Sequence, residues 1–460
     1  MKVLLIAPAS GNWHHVGQQR IFGGKTFRFS LLSLLSLAAE TPPGFEIRIV
    51  DEQVQDVPWN EHFDLVGITC MTAAAPRAYD IADHFRTCGV PVVLGGMHPT
   101  FLPDEALQHA DAVCVGEAEG VWRHILEDAR HGKVSGIYRA DEQHTLVGLH
   151  MPPRALLDAR RYGTIQSVQA TRGCPNRCSF CSVSAFHKGS LRCRPVEEVV
   201  CEVKDLSGRF FMFVDDSLTA ERGYALELCQ ALKPLGKIWI SQSTLEMADD
   251  EELVQAASEA GCIGMFVGLE SFSESSLRSV DKGFNRVAEY RDRIATLHAN
   301  GIGVEAGIVF GFDTDGPNVF RSTLELLDEI GIDAIQVSVL TPLPGTPMFD
   351  RLVSRISEHD WSRYDYHHVV FRPARMTAEQ LQAGHDWVTR EFYRPWRIAR
   401  RLARMALRPG GMRMMKYAAA LNAAYYGRTV RWDIRGYDPG VRSRTHAHGG
   451  DVSRLPSLGG

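Results

Sequence analysis

Three cysteines, Cys174, Cys178 and Cys181, stand on one short stretch of the chain, with spacings of four and three residues. Three thiolates on one loop cannot all pair as disulfides, but they can bind one metal centre. An iron–sulfur cluster is normally held by four cysteines, so a loop that offers three leaves one iron open for a small-molecule ligand. The alternatives are a zinc knuckle or three unrelated buried cysteines. Zinc sites usually show two separated ligand pairs, and no second pair with such spacing is obvious, so the stretch predicts an iron–sulfur cluster.

Polar residues also follow a series of apolar runs around and after the cysteines. Six runs alternate with helical patterns and predict six strands: Ile165–Thr171, Phe210–Val214, Ile238–Ser241, Gly264–Leu269, Val304–Phe310 and Ile335–Leu340. Six β/α units predict an open, partial (β/α)6 barrel, whose chemistry sits at the carboxyl ends of the strands. The residues at those ends are Asp215 and Asp216, Ser241 and Gln242, Glu270, and Gly311 with Asp313. Any one of them could be a helix N-cap, where Asp and Ser are favoured, whereas one at each strand end indicates a site.

The N-terminal third alternates in the same way. Strands are predicted at Lys2–Ala7, Glu46–Val50, Leu65–Thr69, Pro91–Leu94 and Ala112–Val115, with helices at Phe27–Ala39 and Ala73–Thr87. Strands separated by helices indicate βαβ units in a parallel, doubly wound α/β sheet, which binds ligands outside the carboxyl ends of its strands. Gly95 and Gly96 lie in a loop at that edge. Because glycine has no Cβ, the pair would let a flat, bulky ligand approach the backbone.

Between the two α/β regions, residues 133–162 are predicted to be a linker with a hairpin, Gly136–Arg139 and Thr145–Leu149, around the turn at 140–142. The predicted domains are therefore residues 1–132, a barrel over 163–350, a helical C-terminal region over 351–435 and a disordered tail over 436–460. Thr377 is a candidate cap for a C-terminal helix. The run from Phe392 to Trp432 has ten Lys or Arg and no acidic residue. It predicts either a basic face docked on the core or a surface for an anionic substrate or membrane.

Composition sets the outer bounds. At 460 residues the chain should form roughly two to four domains, and its 45% hydrophobic and 23% charged residues are typical of a soluble globular protein. A net charge of −5 argues against a nucleic-acid-binding protein. No apolar run approaches the ~20 residues of a membrane helix, and the N-terminus predicts a strand instead of a signal peptide. Ten scattered cysteines fit a reducing cytoplasm.

The pattern C-x-x-x-C-x-x-C, with Phe180 before the last cysteine, resembles the signature of the radical S-adenosylmethionine (SAM) enzymes. The resemblance implies a [4Fe–4S] cluster on the three cysteines, SAM on the open iron, and an external electron donor such as flavodoxin or ferredoxin. It also implies which residues bind SAM. The backbone of Phe180 would lie near the adenine, Asp215 and Asp216 near the amino group, Ser241 and Glu270 near the ribose and methionine groups, and Gly311 in a strand whose backbone contacts the adenine.

The N-terminal third resembles the cobalamin-binding domain that precedes the barrel in one large subfamily of those enzymes. The runs Val92–Thr100 and Gly116–Glu119 look like its glycine-pair loop and its following G-E-x-E turn. The resemblance implies cobalamin contacts at Thr69, Gly95, Gly96 and Glu117. The D-x-H-x-x-G motif that supplies an axial His to cobalt is absent, which leaves His14, His15 and His98 as candidates. The alternative is a remnant or substrate platform without a corrin.

Together these resemblances imply a cobalamin-dependent C-methyltransferase acting on an unactivated carbon of a small-molecule or lipid metabolite. The implied route uses one SAM to methylate cobalamin and another to form the 5′-deoxyadenosyl radical, which makes the substrate radical that takes the methyl group. The C-terminal helical segment loosely resembles a domain of related methylases, including those acting on hopanoid lipids. Alternatives are cyclisation or rearrangement, transfer of the 3-amino-3-carboxypropyl group of SAM, or a non-catalytic iron–sulfur or corrinoid-binding protein.

Overall fold

In a computed structural model of the chain, the described residues are 1–10, 31–140 and 143–431. The N-terminal region is a six-stranded sheet in the order β2-β1-β3-β4-β5-β6, with every neighbouring pair parallel. Its strands are β1 (Lys2–Ala7), β2 (Glu46–Asp51), β3 (Leu65–Thr69), β4 (Val92–Gly95), β5 (Ala112–Val115) and β6 (Gly136–Arg139). The five predicted strands are all present within a residue or so of their predicted bounds.

Helices cover both faces of this sheet, as expected for a doubly wound fold. They are α1 (Leu32–Ala39), α2 (Ala75–Thr87), α3 (Met97–Phe101), α4 (Pro103–Ala106) and α5 (Trp122–Arg130). Alternate residues of β1 face opposite sides, so that Leu4 and Ile6 join a core cluster with α2 while Val3 and Leu5 join another with α1 and α5. Residues 27–30 of the predicted first helix, like His14 and His15, lie outside the described residues.

The predicted hairpin in the linker is wrong. Gly136–Arg139 pairs in parallel with β5, and Thr145–Leu149 forms no strand. The reason is the intervening helix α5, which is long enough to carry the chain back across the sheet for parallel pairing. The strand is therefore the sixth of the first sheet and not an arm of a local hairpin. Asp141 and Glu142 of the predicted turn lie outside the described residues.

The middle of the chain forms a second parallel sheet, in the order β14-β13-β12-β11-β10-β7. Its six strands are β7 (Ser167–Val168), β10 (Phe210–Phe213), β11 (Ile238–Ser243), β12 (Cys262–Glu270), β13 (Gly303–Phe310) and β14 (Ala334–Val339). A separate antiparallel pair, β8 (Thr171–Gly173) and β9 (Leu191–Cys193), follows β7. The predicted first strand, Ile165–Thr171, is thus divided between two sheets.

Helices alternate with these strands, and most of them contribute buried apolar residues to one core with this second sheet. They are α6 (Ser182–His187), α7 (Val196–Asp205), α8 (Arg222–Leu232), α9 (Glu251–Glu259), α10 (Glu274–Ser279), α11 (Tyr290–Ala299), α12 (Val319–Ile330) and α13 (Pro347–Leu352). This is the partial barrel that the sequence predicts, and it brings the polar strand ends to one edge.

Three helices close the described chain: α14 (Ala378–Phe392), α15 (Pro395–Ala406) and α16 (Gly411–Arg431). Thr377 caps α14 as predicted, in a reciprocal capping box with Gln380. Much of the basic run docks on the barrel, where Arg397 pairs with Asp328 and Arg408 pairs with Asp333 at 2.8 Å. The predicted disordered tail, 436–460, lies outside the described residues. No helix within the described ranges is long and apolar enough to cross a membrane.

Candidate functional site

The cysteine loop connects β8 to α6 at the carboxyl edge of the barrel. Its backbone is tied to the segment that directly follows α10, because the Ser179 N–H donates to the carbonyl of Val280 at 3.1 Å. Cys178 is buried and Cys174 and Cys181 are half-buried, and all three thiols are free. The loop is thus held rigidly with its thiols available to a ligand.

The three thiols lie close enough to affect one another's ionisation. Burial raises the pKa of Cys178 to about 12, and the pKa of Cys174 is also raised by burial and by Cys181. Lys282 lowers the pKa of both thiols. Within the described residues, no three His, Cys, Asp or Glu side chains lie close enough to hold a single metal ion. Thiolates are the donors that iron–sulfur clusters select, so the chemistry of this loop fits a cluster.

The two predicted aspartates after β10 have different roles. Asp215 is fully buried and accepts hydrogen bonds from the backbone of Ala170 and Thr171 and from the Thr171 hydroxyl. Burial raises the pKa of Asp215 to about 7, although these hydrogen bonds by themselves would lower it. Asp216 is half-buried, accepts from the Gly173 N–H at 3.0 Å and lines a large cavity. Asp215 therefore holds the strand-to-loop backbone, and the contact of Asp216 with the SAM amino group stays a prediction.

The other predicted SAM residues lie at three further strand ends or beside the loop. The hydroxyl of Ser241 is buried and has no hydrogen-bond partner, which leaves it available to a ligand. Phe180 packs partly buried against an apolar cluster that includes Phe312 and Leu340. Gly311 has φ +109°, and its N–H donates to Asp315 at 2.9 Å. A Cβ on Gly311 would contact the C-terminal region, so packing requires this glycine, and its predicted adenine contact stays a prediction.

Glu270 ends β12 in a left-handed conformation, with φ +64°. Such a conformation is uncommon for a residue with a side chain and is often found at functional sites. Its carboxylate accepts a hydrogen bond from the Lys282 ammonium at 2.7 Å, and each side chain is 11% exposed. The predicted contact of Glu270 with SAM stays a prediction, and no local sequence pattern pointed to its partner Lys282.

A cavity of about 430 Å³ lies at the carboxyl edge of the first sheet, between that sheet, α1 and the barrel. Its wall is mostly apolar on the N-terminal side and includes Leu5, Leu34, Val93, Trp122 and Ile125. The barrel contributes Gln169, Arg172, Phe186, His187, Val214 and Asp216. Cavities of this size and apolar character are typical of cofactor sites. This cavity therefore fits a bulky cofactor that both regions contact.

Three of the residues predicted to contact cobalamin, Thr69, Gly95 and Gly96, line this cavity. Gly96 was expected to be glycine so that a ligand could approach the backbone, but the structure gives a different reason. Its φ is +97°, and a Cβ there would lie 2.8 Å from the Thr69 hydroxyl and from the Cys70 carbonyl oxygen. Strand packing thus requires that glycine. Gly116 also lines the cavity, and a Cβ there would meet nothing within 4 Å, so Gly116 is where a ligand can approach open backbone.

Glu117, the fourth predicted cobalamin residue, lines the cavity but is engaged with the barrel. It pairs with Arg192 at 2.6 Å and with Arg172 at 3.2 Å. Burial alone would raise the pKa of Glu117, but the hydrogen bond from Arg192 and the charge of Arg172 lower it to about 2. Glu119 pairs with Arg172 as well, at 3.0 Å. These ion pairs join the cavity to the segment that carries the cysteine loop.

Of the two histidines His187 and His98, only His187 lines the cavity, and the sequence did not show this difference. His187 lines the cavity, and its Nδ1 accepts from the Arg192 guanidinium at 3.3 Å. Burial lowers the pKa of His187 to about 4, so the ring is neutral. The candidate axial ligand His98 is fully buried, with Nε2 3.1 Å from the Tyr79 hydroxyl and 3.2 Å from Glu105. These contacts make His98 a packing residue rather than a ligand facing the cavity.

Two family models match the chain over these two regions. The model described as the B12 binding domain matches residues 33–126, and the model of the radical SAM superfamily matches residues 168–315. The first match covers the sheet with the glycine-pair loop, and the second runs from β7 through the cysteine loop to Asp315. Both resemblances seen in the sequence are confirmed.

Whole-chain comparisons give the same two-part architecture. The chain is 31% identical over 383 residues to bacteriochlorophyllide d C-12(1)-methyltransferase of Chlorobaculum tepidum, covering 81% of this chain and 84% of that protein. It is 28% identical to bacteriochlorophyllide d C-8(2)-methyltransferase of the same organism, covering 75% and 81%. The solved structure of the cobalamin-dependent SAM radical enzyme OxsB with aqua-cobalamin superposes with a TM-score of 0.66 at 14% identity, covering 91% of this chain and 72% of that one.

Proposed function

This chain belongs to the family of cobalamin-dependent radical SAM methyltransferases, and we propose that it transfers a methyl group to an unactivated carbon of a tetrapyrrole. The observation that carries the proposal is the shared cavity. Its wall combines the glycine-pair loop of the first sheet with Arg172 and His187, which flank the cysteine loop, and with Asp216, which accepts from the Gly173 N–H. A corrin bound there would face the same barrel mouth as the cluster.

The cofactors carry the reactive chemistry. When bound, the cluster supplies one electron to cleave SAM, and cobalamin supplies the methyl group. The protein holds and orients these groups and excludes water. Cys174, Cys178 and Cys181 would hold the cluster, Asp216 and the unpartnered Ser241 hydroxyl would meet polar groups of SAM, and the cavity around Gly95 and Gly116 would hold the corrin.

The substrate class rests on the two relatives with the printed activities. Both act on bacteriochlorophyllide d, at two different positions, and both align with three quarters or more of this chain. A common substrate skeleton methylated at different positions requires a shared overall architecture with locally different positioning. A tetrapyrrole is therefore the class that we expect this chain to accept, in place of a lipid.

The substrate class is tested by turnover. The full chain, reconstituted without oxygen with iron, sulfide and hydroxocobalamin, is incubated with SAM, a reductant and either a chlorophyllide-type tetrapyrrole or a polycyclic lipid. We expect a methylated tetrapyrrole and unchanged lipid. Methylation of the lipid alone would replace the tetrapyrrole proposal and leave the methyltransferase assignment intact.

We propose further that a C-terminal patch contacts anionic membranes. The patch comprises Trp396, Arg400, Leu407, Met412 and Lys416. Leu407 is 89% exposed, Met412 69% and Trp396 53%, and Arg400 and Lys416 are exposed beside them. Trp396 and Arg400 are one turn apart on α15, Leu407 directly follows that helix, and Met412 and Lys416 are one turn apart on α16. Exposed apolar residues among cations are the composition of a surface that binds at a lipid interface.

We place this enzyme in a reducing cytoplasm. All ten cysteines are free, including two exposed ones, Cys88 and Cys201. Free thiols persist where glutathione and thioredoxin keep them reduced, and an external one-electron donor such as flavodoxin or ferredoxin would supply the cluster there.

A further inference from the structure

The ion pair between Glu270 and Lys282 lies next to the cysteine loop, and the surrounding backbone is shaped to accommodate it. Gly268 makes room for it, because a Cβ at Gly268 would clash with the Glu270 carboxylate and lie 2.7 Å from the Lys282 Nζ. The register between β12 and β13 shifts between Gly268 and Glu270, where the backbone enters its left-handed turn. Such strain persists only where the surroundings over-determine it.

Two buried side chains hold that turn. Asn285 is fully buried and donates to the carbonyls of Gly268 at 2.8 Å and Leu269 at 3.2 Å. The Tyr290 hydroxyl donates to the carbonyls of Leu269 at 3.0 Å and Ser271 at 3.3 Å. The backbone that carries Glu270 is therefore held on both sides by these two side chains.

Lys282 belongs to a segment that packs directly on the cysteine loop. Val280 accepts from the Ser179 N–H at 3.1 Å, and the carbonyl of Asp281 lies 4.0 Å from the Cys178 sulfur. Asp281 is itself left-handed, with φ +59°. The charge of Lys282 acts on the Cys174 and Cys178 thiols, and burial, which would lower the pKa of Lys282, is outweighed by Glu270 and the neighbouring thiols. The ammonium is thus a fixed cation beside the metal ligands.

We propose that Lys282 tunes the reduction potential of the cluster, and that Glu270 sets how much of its charge the cluster experiences. A cluster that accepts one electron from the donor becomes more negative, so a fixed cation stabilises its reduced form and raises its potential, whereas a neighbouring carboxylate opposes this effect. Net charge and hydrogen bonds near the sulfurs are the means by which proteins set such potentials. The inference rests on the cluster of the proposed function.

The test is a redox titration of the reconstituted holoenzyme without SAM, monitored by electron paramagnetic resonance. Lys282→Met should lower the midpoint potential, Glu270→Gln should raise it, and Lys282→Arg, which keeps the charge, should leave it close to the parent value. Lys188→Gln is the matched control, because Lys188 is exposed just after α6 and near the loop. It should not shift the potential.

Iron and sulfide content confirm that each variant holds its cluster. If Lys282→Met fails to assemble, the rise expected for Glu270→Gln, measured against the parent-like potential expected for Lys282→Arg, still decides the matter. Unchanged potentials in the loaded variants would overturn the tuning role and leave the enzyme assignment intact. A parent protein that assembles no cluster would overturn both.

Discussion

The two parallel sheets of this protein have the same number of strands, yet they prepare opposite kinds of site at their carboxyl edges. The first sheet presents Thr69, Gly95 and Gly116 around an apolar cavity. The barrel presents three thiols, the unpartnered hydroxyl of Ser241, and the ion pair of Lys282 with Glu270, whose backbone is left-handed. One edge suits a large group held by shape, and the other suits a charged group held by ligands.

The difference shows how two parallel sheets of the same class can each be adapted to bind a different cofactor. The cavity edge needs glycines and a smooth apolar wall, since a bulky ligand gains affinity from contact area. The cluster edge needs few residues but fixed positions, and it obtains them from buried hydrogen bonds. Glu117, Arg172 and Arg192 join the two edges through ion pairs, so that neither site is built from one region alone.

The largest expected effect comes from removing one thiol. Cys178→Ala should reduce bound iron and SAM cleavage to background, because the cluster loses one of three protein ligands. Corrin uptake should persist, since Cys178 does not line the cavity. Iron analysis, detection of 5′-deoxyadenosine and the corrin absorbance spectrum check this. Cys201→Ala, at an exposed cysteine outside the loop, is the control and should retain all three properties.

A substitution in the first sheet should have the opposite selectivity, weakening corrin binding and sparing the cluster. Gly96→Ala places a side chain at φ +97° against Thr69 and Cys70, which should cost roughly 1–3 kcal/mol in backbone strain alone and weaken corrin binding. Unfolding curves and corrin titration measure the effect, and cluster content should be unchanged. Gly89→Ala is the matched control, with φ +76° but open space. Equal losses in the two variants would show that the close packing at Gly96 is unimportant.

Acid should weaken the junction between the two edges through His187. The folded pKa is about 4 against an ordinary value of 6.5. Between pH 6.5 and about 4, His187 is therefore protonated in the unfolded chain but neutral in the native chain. Stability is lost as pH falls toward 4, by up to roughly 3 kcal/mol.

His187→Gln should flatten this part of the pH dependence of the free energy of unfolding, measured in urea between neutral pH and about 4.5. His124→Gln changes a histidine whose side chain is 71% exposed and is the control. It should keep the parent slope. A parent-like slope in His187→Gln as well would place the acid sensitivity elsewhere.

The smallest effect belongs to the C-terminal patch, which neither edge uses. Leu407→Ser combined with Met412→Ser should leave stability within about 0.5 kcal/mol, because both side chains are largely exposed. The double variant should bind vesicles of phosphatidylglycerol several-fold more weakly in a flotation assay. Equal binding to neutral phosphatidylcholine vesicles, or no loss in the variant, would contradict the anionic membrane contact.

Much of this architecture could be predicted from sequence. Strand and helix bounds follow from hydrophobic periodicity, and the cysteine spacing identifies the cluster loop. The hairpin prediction failed because local alternation at Gly136–Arg139 does not reveal which strand is its partner. Similarly, adjacent Asp215 and Asp216 look equivalent in sequence, yet only the three-dimensional contacts show that Asp215 is committed to backbone.

The partners of the site residues were the least predictable part. Glu270 is twelve residues from Lys282, and Glu117 is more than fifty residues from Arg172 and Arg192. Such pairs depend on how the two sheets pack and leave no local pattern. Gly96 was singled out from sequence as a cobalamin contact, which stays a prediction, whereas its close packing on Thr69 is visible only in the folded chain.

We propose that both edges serve one methyl transfer, and mass analysis of all products from SAM and a tetrapyrrole in the reconstituted enzyme tests this directly. We expect a product heavier by one methyl group, together with S-adenosylhomocysteine and 5′-deoxyadenosine. Formation of 5′-methylthioadenosine would contradict it in favour of aminocarboxypropyl transfer. A cyclised or rearranged product with 5′-deoxyadenosine alone would equally contradict it.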